Sequence, residues 1–435
     1  MRILWIKMGG LWPLNTGGRL RSFHILVELS RRHRVILLTT HGPGENPEAL
    51  SAHLPSTVEV VSVPYAIPKL GSGRFALALL RSWCSSLPVD LAKFRVPALS
   101  KKVQQILEAK EVDLCVADFL SAAPNVPFDR PVPVVFFAHN VEHIIWKRLS
   151  QIDNSIWRRT LLQLEWRKMR RCEARTCAQS TLTLAVSEVD RNLLASTAPG
   201  ASLRAVPTGV DTAYFTPSRK RESAVHLVFT GSMDWHPNED AILHFADSIL
   251  PRIRREIPDV SLTVVGRNPT PRLLARAAEI GIQFTGTVDD VRPYIAKAAL
   301  YVVPLRIGGG TRLKIFEALA MGKAVVSTTV GAEGLPVVPG EHIIQADDPD
   351  DFAGAVVSLL KDPARRRALG LAGRRLVETR YSWPQVARQF EAKCQEAVNR
   401  HASTRIDASA VSSRLLKNIL LGATWTRRNI FQSRK

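Results

Sequence analysis

A glycine-rich loop between two apolar strands carries residue types that suit phosphate binding. Residues 299–327 read ALYVVPLRIGGGTRLKIFEALAMGKAVVS, so a strand leads into three glycines and a threonine, and a helix follows. Glycine allows the backbone to approach an anion closely, and the start of a helix offers unpaired N–H groups with a favourable dipole. The pattern predicts that Gly309, Gly310 and Thr311 hold a phosphate.

Charged side chains follow the loop at helical spacing. Arg312 and Lys314 add positive charge beside the predicted phosphate, and Glu317 lies about one turn further along. A carboxylate accepts hydrogen bonds from hydroxyl groups, as a ribose or another sugar offers. Amides and cations for a phosphate next to a carboxylate for a sugar indicate a nucleotide-sugar site.

Three further loops follow predicted strands and contain small or polar residues. Gly17 and Gly18 begin a helix after the first strand, Gly231 and Ser232 follow the first strand of the second half, and Arg267 follows the next one. In a doubly wound sheet, the loops at the carboxyl ends of the strands form the ligand crevice. We expect these residues to contact the nucleotide sugar that donates the sugar group, although Arg267 fits a solvated surface equally well.

His139 follows the apolar run at 134–138 directly, and Asn140 and Glu142 come next. A single histidine is more often structural than functional, but the carboxyl end of a strand faces the crevice. We therefore interpret His139 as a catalytic residue that binds a sugar hydroxyl or stabilises a developing charge.

Short apolar runs alternate with helix-like segments through most of the chain, which predicts parallel sheets covered on both faces. The predicted strands are 3–8, 35–39, 58–63, 114–117, 134–138, 182–186, 226–230, 261–265, 283–285, 300–304 and 324–327. Inserted helices are expected within 66–110. The fold class is therefore α/β, with two Rossmann-like doubly wound domains facing a central cleft.

Turn formers and charge at 204–222 mark the predicted domain boundary. We assign 1–205 to an N-terminal acceptor-side domain and 206–383 to a C-terminal nucleotide-sugar-binding domain. A helix at 384–400 is expected to return to the N-terminal domain, and 401–435 forms a basic tail. The stretch 142–180 reads as one long basic helix, for which we favour packing against its own domain over lying on a membrane.

Composition limits the class of protein and its partners. The 435 residues carry a net charge of +20, which indicates an anionic partner or a solvated basic surface. Five cysteines without metal-ligand spacing favour a reducing compartment. The N-terminus lacks the pattern of a signal peptide, and no apolar run approaches the ~20 residues that span a bilayer.

The order of the motifs resembles the GT4-like family of retaining glycosyltransferases, which have the GT-B fold. The resemblance covers roughly residues 1–400. Its carriers are Gly17-Gly18, His139-Asn140, Val186-Ser187-Glu188, Val206-Pro207-Thr208-Gly209, Phe229-Thr230-Gly231-Ser232, Gly266-Arg267 and Gly309–Glu317. The family's ribose-binding glutamate corresponds to Glu317, and the loop and helix start correspond to its diphosphate site. The GGGTRLK sequence resembles a subgroup associated with bacterial exopolysaccharide assembly.

Two positions depart from the family pattern. The family often shows two glutamates separated by seven residues, but the position of the earlier one is occupied here by Gly309. The usual basic pair after the Gly231 strand is also absent, since Trp235 and Asn238 occupy that region. Arg312 and Lys314 are the expected substitutes for charge on the leaving diphosphate, and donor identity stays open.

The expected activity is transfer of a sugar from a nucleoside diphosphate to an acceptor hydroxyl, with no metal or other cofactor. Retention of configuration is implied by the resemblance alone. The rivals are a sugar-nucleotide epimerase on a similar scaffold and a non-catalytic basic protein that binds nucleic acid. Expected partners are the nucleotide-sugar donor, a lipid-linked or polysaccharide acceptor, and an anionic membrane surface, with no nucleic acid. The expected location is cytoplasmic, with a peripheral position on the inner face of the plasma membrane as one option.

Overall fold

The computed structural model describes residues 1–14, 16–68, 71–109, 111–152, 155–218, 222–307 and 313–404. The described residues form one sheet of seven strands and one of six, and every strand pairing among them is parallel. The predicted architecture of two α/β parallel-sheet units is therefore confirmed.

The first sheet has the strand order β3-β2-β1-β4-β5-β6-β7. Its strands are β1 (Arg2–Lys7), β2 (Arg34–His41), β3 (Val58–Pro64), β4 (Leu114–Asp118), β5 (Val134–Ala138), β6 (Leu182–Ala185) and β7 (Leu203–Ala205). The helices of this part are α1 (Gly17–Ser30), α2 (Pro47–Ala52), α3 (Gly73–Trp83), α4 (Val89–Ala92), α5 (Pro97–Ala109), α6 (Glu142–Ile152), α7 (Ile156–Gln179) and α8 (Glu188–Thr197). A 3₁₀ segment, Leu120–Asn125, follows β4.

The second sheet has the strand order β10-β9-β8-β11-β12-β13. Its strands are β8 (His226–Thr230), β9 (Ser261–Val265), β10 (Gln283–Phe284), β11 (Leu300–Val303), β12 (Ala324–Ser327) and β13 (Ile344–Gln345). Its helices are α9 (His236–His244), α10 (Leu250–Glu256), α11 (Pro271–Ile280), α12 (Arg292–Lys297), α13 (Leu313–Ala320), α14 (Pro349–Lys361) and α15 (Pro363–Leu376), with π segments Phe245–Ile249 and Val377–Tyr381. Residues 383–404 form a last helix, α16.

Both sheets reverse their strand order next to their first strand, which defines the position of a ligand crevice. In the first sheet the reversal lies between β1 and β4, and in the second it lies between β8 and β11. The loops that follow β1 and β8 hold the Gly17 and Gly231 motifs. The fold thus places these sequence motifs at the two switch points.

Side chains alternate along β1 because successive residues of a strand face opposite sides of the sheet. Ile3 and Trp5 are buried on one face, and Leu4 and Ile6 on the other, so both faces are covered. Helix α16 contributes to the first of these cores, where the Phe390 ring lies 5.5 Å from that of Trp5.

Two predictions at the level of elements need correction. The stretch 142–180 is not one helix, because α6 ends at Ile152 and α7 begins at Ile156 with Ser155 at its N-cap position. Strands β7 and β13 were not predicted, since runs of three and two residues are too short to give a periodic pattern. The helices expected within 66–110 are confirmed as α3, α4 and α5.

Candidate active site

Gly17 and Gly18 start α1, the helix that follows the carboxyl end of β1. Thr16 caps the helix by accepting a hydrogen bond from the Arg19 backbone N–H at 3.3 Å. A Cβ on Gly18 would lie 3.0 Å from Cε2 of Phe119, and even nearer to the tip of the ring. Gly18 is therefore required for close packing of α1 against the loop after β4.

His139 lies at the end of β5 and has protein partners on both ring nitrogens. Its Nε2 is 2.6 Å from Oδ1 of Asp118, and its Nδ1 is 3.0 Å from Nη1 of Arg21. Because a guanidinium only donates, Nδ1 accepts from Arg21 and the ring proton resides on Nε2, facing Asp118. The histidine is thus held in one tautomer.

Asp118 is the centre of this buried network. Its Oδ2 accepts hydrogen bonds from Nε1 of Trp5 at 2.9 Å and from Nζ of Lys7 at 3.0 Å. Lys7 also contacts Oγ of Ser22 at 3.1 Å. Although burial opposes ionisation, the charge of Lys7 and the hydrogen bond from His139 hold the pKa of Asp118 well below its usual range.

The network also sets the protonation of His139. Burial lowers the pKa of His139, the neighbouring Asp118 opposes the shift, and the charges of Arg21 and Lys7 add to it. The net effect keeps the pKa far below its ordinary value, so the ring is neutral at physiological pH. A neutral imidazole with both nitrogens engaged is a rigid part of the crevice wall.

Phe119 and Arg21 complete the surroundings of His139. The Phe119 ring stacks on the imidazole with centroids 3.7 Å apart, and its backbone has the unusual φ of 71° for a non-glycine residue. Nε of Arg21 donates to Oγ1 of Thr208 at 2.9 Å, in the segment between β7 and β8. Arg21 therefore ties the imidazole to the connection between the two sheets.

A cavity of about 420 Å³ lies between the two halves at this point. Gly17, Gly18, His139 and Leu313 are among its lining residues, so it includes the first residue of α13 from the second half. The remaining lining residues are Thr16, Arg21, Phe119 and Asn140. The structure thus brings the predicted residues Gly17, Gly18 and His139 together, facing the helix that carries Lys314 and Glu317.

Lys314 projects from α13 onto the loop after β8. Its Nζ is 2.9 Å from Oδ1 of Asn238 and 4.1 Å from the centre of the Phe229 ring. A Cβ on Gly231 would lie 2.8 Å from the same Nζ, so glycine makes room for the ammonium group. Gly231 and Lys314 therefore lie next to each other, and their roles in binding the donor stay predictions.

Ser232 and Arg267 interact directly beside Gly231. Nε of Arg267 donates to Oγ of Ser232 at 2.9 Å, and Ser232 in turn donates to Oδ1 of Asp234 at 2.5 Å. The Arg267 side chain is 58% exposed. Backbone contact is also close here, because a Cβ on Gly266 would lie only 2.7 Å from the carbonyl carbon of Gly231. The two loops after β8 and β9 are therefore joined into one polar surface.

Glu317 lies one turn after Lys314 on α13. Burial raises the pKa of Glu317 to about 7, and the positive charge of Lys314 opposes the shift. The neighbouring Tyr301 is buried and shares a hydrogen bond of 2.5 Å with Thr230. A carboxylate whose pKa is raised by burial is a candidate functional position, because ligand hydroxyls restore the hydrogen bonds lost on burial.

The phosphate loop itself falls outside the part of the chain that the structure describes. This concerns the predictions for Gly309, Gly310, Thr311 and Arg312, which stay predictions. The basic tail beyond residue 404 also lies outside the residues that the structure describes.

Sequence reasoning missed the network behind His139, formed by Lys7, Arg21, Asp118 and Thr208. Lys7 and Asp118 end neighbouring strands and are direct partners in the register of β1 and β4. A lysine at the end of an apolar strand was the available signal, because a buried charge needs a partner. Asn238 was noted only as a departure from the family pattern, and its contact with Lys314 was not predicted.

Two family models match the chain. The model described as Glycosyltransferase Family 4 matches residues 17–214, and the model described as Glycosyl transferases group 1 matches residues 224–362. Together they match well over half of the sequence and include both halves of the crevice. The chain belongs to the GT4-like glycosyltransferases. The label of a GGGTRLK subgroup within this family stays a prediction.

Similar sequences include mannosyltransferases. A GDP-mannose-dependent alpha-(1-6)-phosphatidylinositol monomannoside mannosyltransferase from Mycolicibacterium smegmatis is 30% identical over 224 residues, which cover 46% of this chain and 58% of the relative. The chain spans between half and two thirds of the length of the first such relatives that it matches. An uncharacterized 44.6 kDa protein in the cps region of Klebsiella pneumoniae is 23% identical, and the match covers 83% of this chain and 91% of that protein.

A solved structure shows the same fold. The Anabaena protein HepE in complex with UDP has a TM-score of 0.64 and 15% sequence identity, and the match covers 91% of this chain and 100% of the other. At this identity the likeness establishes the GT-B fold alone. Among the described residues, no helix is both long and apolar enough to cross a bilayer.

Proposed function

We propose that this GT4-like enzyme transfers a sugar from a nucleoside-diphosphate sugar to an acceptor hydroxyl. One observation carries the proposal: Leu313, the first residue of the helix that carries Lys314 and Glu317, lines the same cavity as Gly17 and His139. A cation and a carboxylate on that helix suit a diphosphate and a ribose. The opposite wall comes from the first sheet and leaves room for an acceptor.

The leaving diphosphate is the part of the donor that gains charge in the transition state. Lys314, together with Arg312 and the amides of the 309–311 loop, would stabilise that charge, which assigns the task to protein groups rather than to a metal ion. Glu317 would accept hydrogen bonds from the ribose hydroxyls. His139, held neutral by its partners, would shape the wall beside the transferred sugar, and retention of configuration is part of this proposal.

The acceptor is proposed to be a lipid-linked or polysaccharide hydroxyl in a bacterial exopolysaccharide or glycoconjugate pathway. Two comparisons support this: a relative acts on a phosphatidylinositol mannoside, and another is encoded in a cps region. The net charge of +20 supports a cytoplasmic enzyme positioned peripherally on an anionic membrane surface. We assign neither donor to this chain, since the similar solved structure contains UDP and the name of the similar mannosyltransferase gives GDP-mannose.

A panel of UDP- and GDP-sugars tests the proposal. A donor that binds the folded protein raises its melting temperature, so thermal shift identifies the donor first. That donor is then incubated with the enzyme alone and with candidate lipid acceptors, and products are separated by mass spectrometry. Acceptor-dependent release of nucleoside diphosphate supports transfer. An isomerised nucleotide sugar in the absence of acceptor would instead establish an epimerase.

A further inference from the structure

The first half of the molecule exposes apolar side chains on three helices that pack together. On α3, Leu77, Leu80 and Trp83 are 47%, 55% and 54% exposed. On α7, Ile156 and Trp157 are 80% and 84% exposed. The others are Ile145 and Leu149 on α6 and Leu161 and Leu164 on α7. We call these nine residues the outer apolar surface.

Hydrogen bonds show that α3 and α7 are direct neighbours. Nζ of Lys168 donates to the carbonyl oxygen of Ser82 at 2.8 Å. The Glu165 carboxylate accepts from the backbone N–H of Val89 at 2.6 Å, at the start of α4, the helix that follows α3. Lys168 and Glu165 therefore join α7 to the end of α3, where the exposed Trp83 follows Ser82 directly.

Helices α6 and α7 form an antiparallel hairpin. The Glu173 carboxylate accepts from the Glu142 backbone N–H at 2.8 Å and contacts Nδ1 of His143 at 2.5 Å, so the start of α6 meets the end of α7. Lys147 lies over the ring of Trp166, which continues the same register. Ile156 and Trp157 begin α7 and therefore lie at the end of the hairpin opposite the contact between Glu142 and Glu173.

The exposed charged side chains that the structure describes on α3, α6 and α7 have one sign. Exposed basic residues accompany all three helices: Arg74, Arg81, Lys147, Arg148, Arg158, Arg159, Arg167, Arg170, Arg171 and Arg175. Within the described residues of α3, α6 and α7 no acidic side chain is in the exposed class, because Glu165 and Glu173 are buried and Glu142 is only partly accessible. Large apolar patches on soluble proteins mark interaction sites, and this one has a basic surround.

We infer that the outer apolar surface docks on an anionic lipid bilayer, with Ile156 and Trp157 at the start of α7 inserted among the headgroups. Tryptophan and aliphatic side chains enter the interface while arginine and lysine pair with anionic lipid, which is the composition of an interfacial helix. A nucleic acid would use the cations but would leave Leu77, Leu80 and Ile156 in water. The inference rests on the proposed membrane association and specifies the face responsible for it.

The base of the hairpin connects this surface to the active-site crevice. His139 and Asn140 line the cavity, and α6 begins two residues later at Glu142. Asn140 donates to the Glu142 carboxylate at 3.3 Å. Docking through the hairpin would therefore set the orientation of the acceptor side of the crevice relative to the bilayer.

Co-sedimentation of the full chain with vesicles tests the inference. The vesicles are phosphatidylcholine alone or phosphatidylcholine with phosphatidylglycerol. The double variant Ile156→Ser/Trp157→Ser should bind the anionic vesicles at least ten-fold more weakly than the wild type. Leu80→Ser should weaken binding several-fold. The matched control is Leu371→Ser on α15, since Leu371 and Leu80 are both 55% exposed, and it should bind like the wild type.

Equal vesicle binding by the wild type and the Ile156→Ser/Trp157→Ser variant would overturn the inference, as would equal recovery with neutral and anionic vesicles. Binding to RNA that outcompetes the vesicles would do the same. Thermal shift with the donor on the same variants separates this result from the proposed transfer. A variant that keeps its donor-induced shift but loses vesicle binding places the defect on the docking surface alone.

Discussion

The imidazole of His139 donates from Nε2 to Oδ1 of Asp118 across 2.6 Å, and these two side chains are 1% and 0% exposed. Lys7 compensates the buried carboxylate from the neighbouring strand, and Arg21 occupies the other nitrogen of the ring. The wall of the crevice opposite α13 is therefore fixed by a charge network that reaches to the connection between the sheets.

Removal of the Asp118 charge tests how far the first half depends on this network. Asp118→Asn leaves the Lys7 ammonium buried without its counter-ion, and such a loss typically costs about 3–5 kcal/mol. We expect a lower midpoint of denaturant unfolding by that order. The Lys7→Met/Asp118→Asn double variant should lose less than the sum of the single changes, because the two groups interact.

The pH dependence of stability supplies an independent check. The pKa of Asp118 is lower in the folded state than its ordinary value of 3.8, so its contribution is complete at neutral pH and decreases as the pH falls below 3.8. The wild type should therefore lose stability more steeply in acid than Asp118→Asn does. Parallel acid profiles for the two proteins would show that the carboxylate is not held ionised.

Lys314→Ala tests the charge on the leaving diphosphate. If the ammonium stabilises that charge, its removal should reduce the rate of nucleoside diphosphate release about 10²–10³-fold, with little change in melting temperature. The control is Lys361→Ala, because Lys361 pairs with Glu256 on the surface of the same half. Near wild-type turnover in Lys314→Ala would remove this residue from the transfer step.

The raised pKa of Glu317 predicts that donor affinity depends on pH. Its pKa is raised to about 7, so a part of the free enzyme carries a neutral carboxyl at physiological pH. Ribose hydroxyls favour the ionised form as an acceptor. Affinity for the intact nucleotide sugar should therefore increase as the pH rises through 7 and level off above it. Glu317→Gln should bind more weakly and lose this dependence, and a calorimetric titration at several pH values measures both.

Gly18→Ala tests the close packing of α1 on Phe119. The added Cβ would overlap the ring, and overpacking of this kind costs about 1–3 kcal/mol. Because Phe119 stacks on His139, turnover should decrease together with stability. Gly17→Ala is the matched control, since its Cβ would meet only Leu313 at an ordinary 3.5 Å. Equal melting temperatures for the two variants would contradict the packing argument.

The sequence was sufficient to predict the strands of the two sheets and the loops at the carboxyl ends of those strands. Uninterrupted apolar runs such as 134–138 have few alternatives to a buried parallel strand, and the carboxyl ends of such strands define the crevice. The hairpin break was also accessible, because Asp153-Asn154-Ser155 is a run of turn formers inside the stretch that we interpreted as one helix.

The network behind His139 could not be derived in the same way. Asp118 and Lys7 meet only because β4 pairs with β1, and strand order is a property of the whole sheet. Arg21 and Thr208 are 187 positions apart in the chain. Spacing along the sequence carries no information about such pairs, whereas the helix that holds Lys314 and Glu317 keeps its key residues within one turn.

The most direct test of a nucleoside-diphosphate site on α13 is calorimetric titration of UDP and of GDP into the wild type and into Glu317→Ala. We predict that the wild type binds one of the two nucleotides and that Glu317→Ala binds the same nucleotide at least ten-fold more weakly while it keeps the wild-type melting temperature. Equal affinity of the two proteins for both nucleotides, or binding of neither by the wild type, would contradict the account.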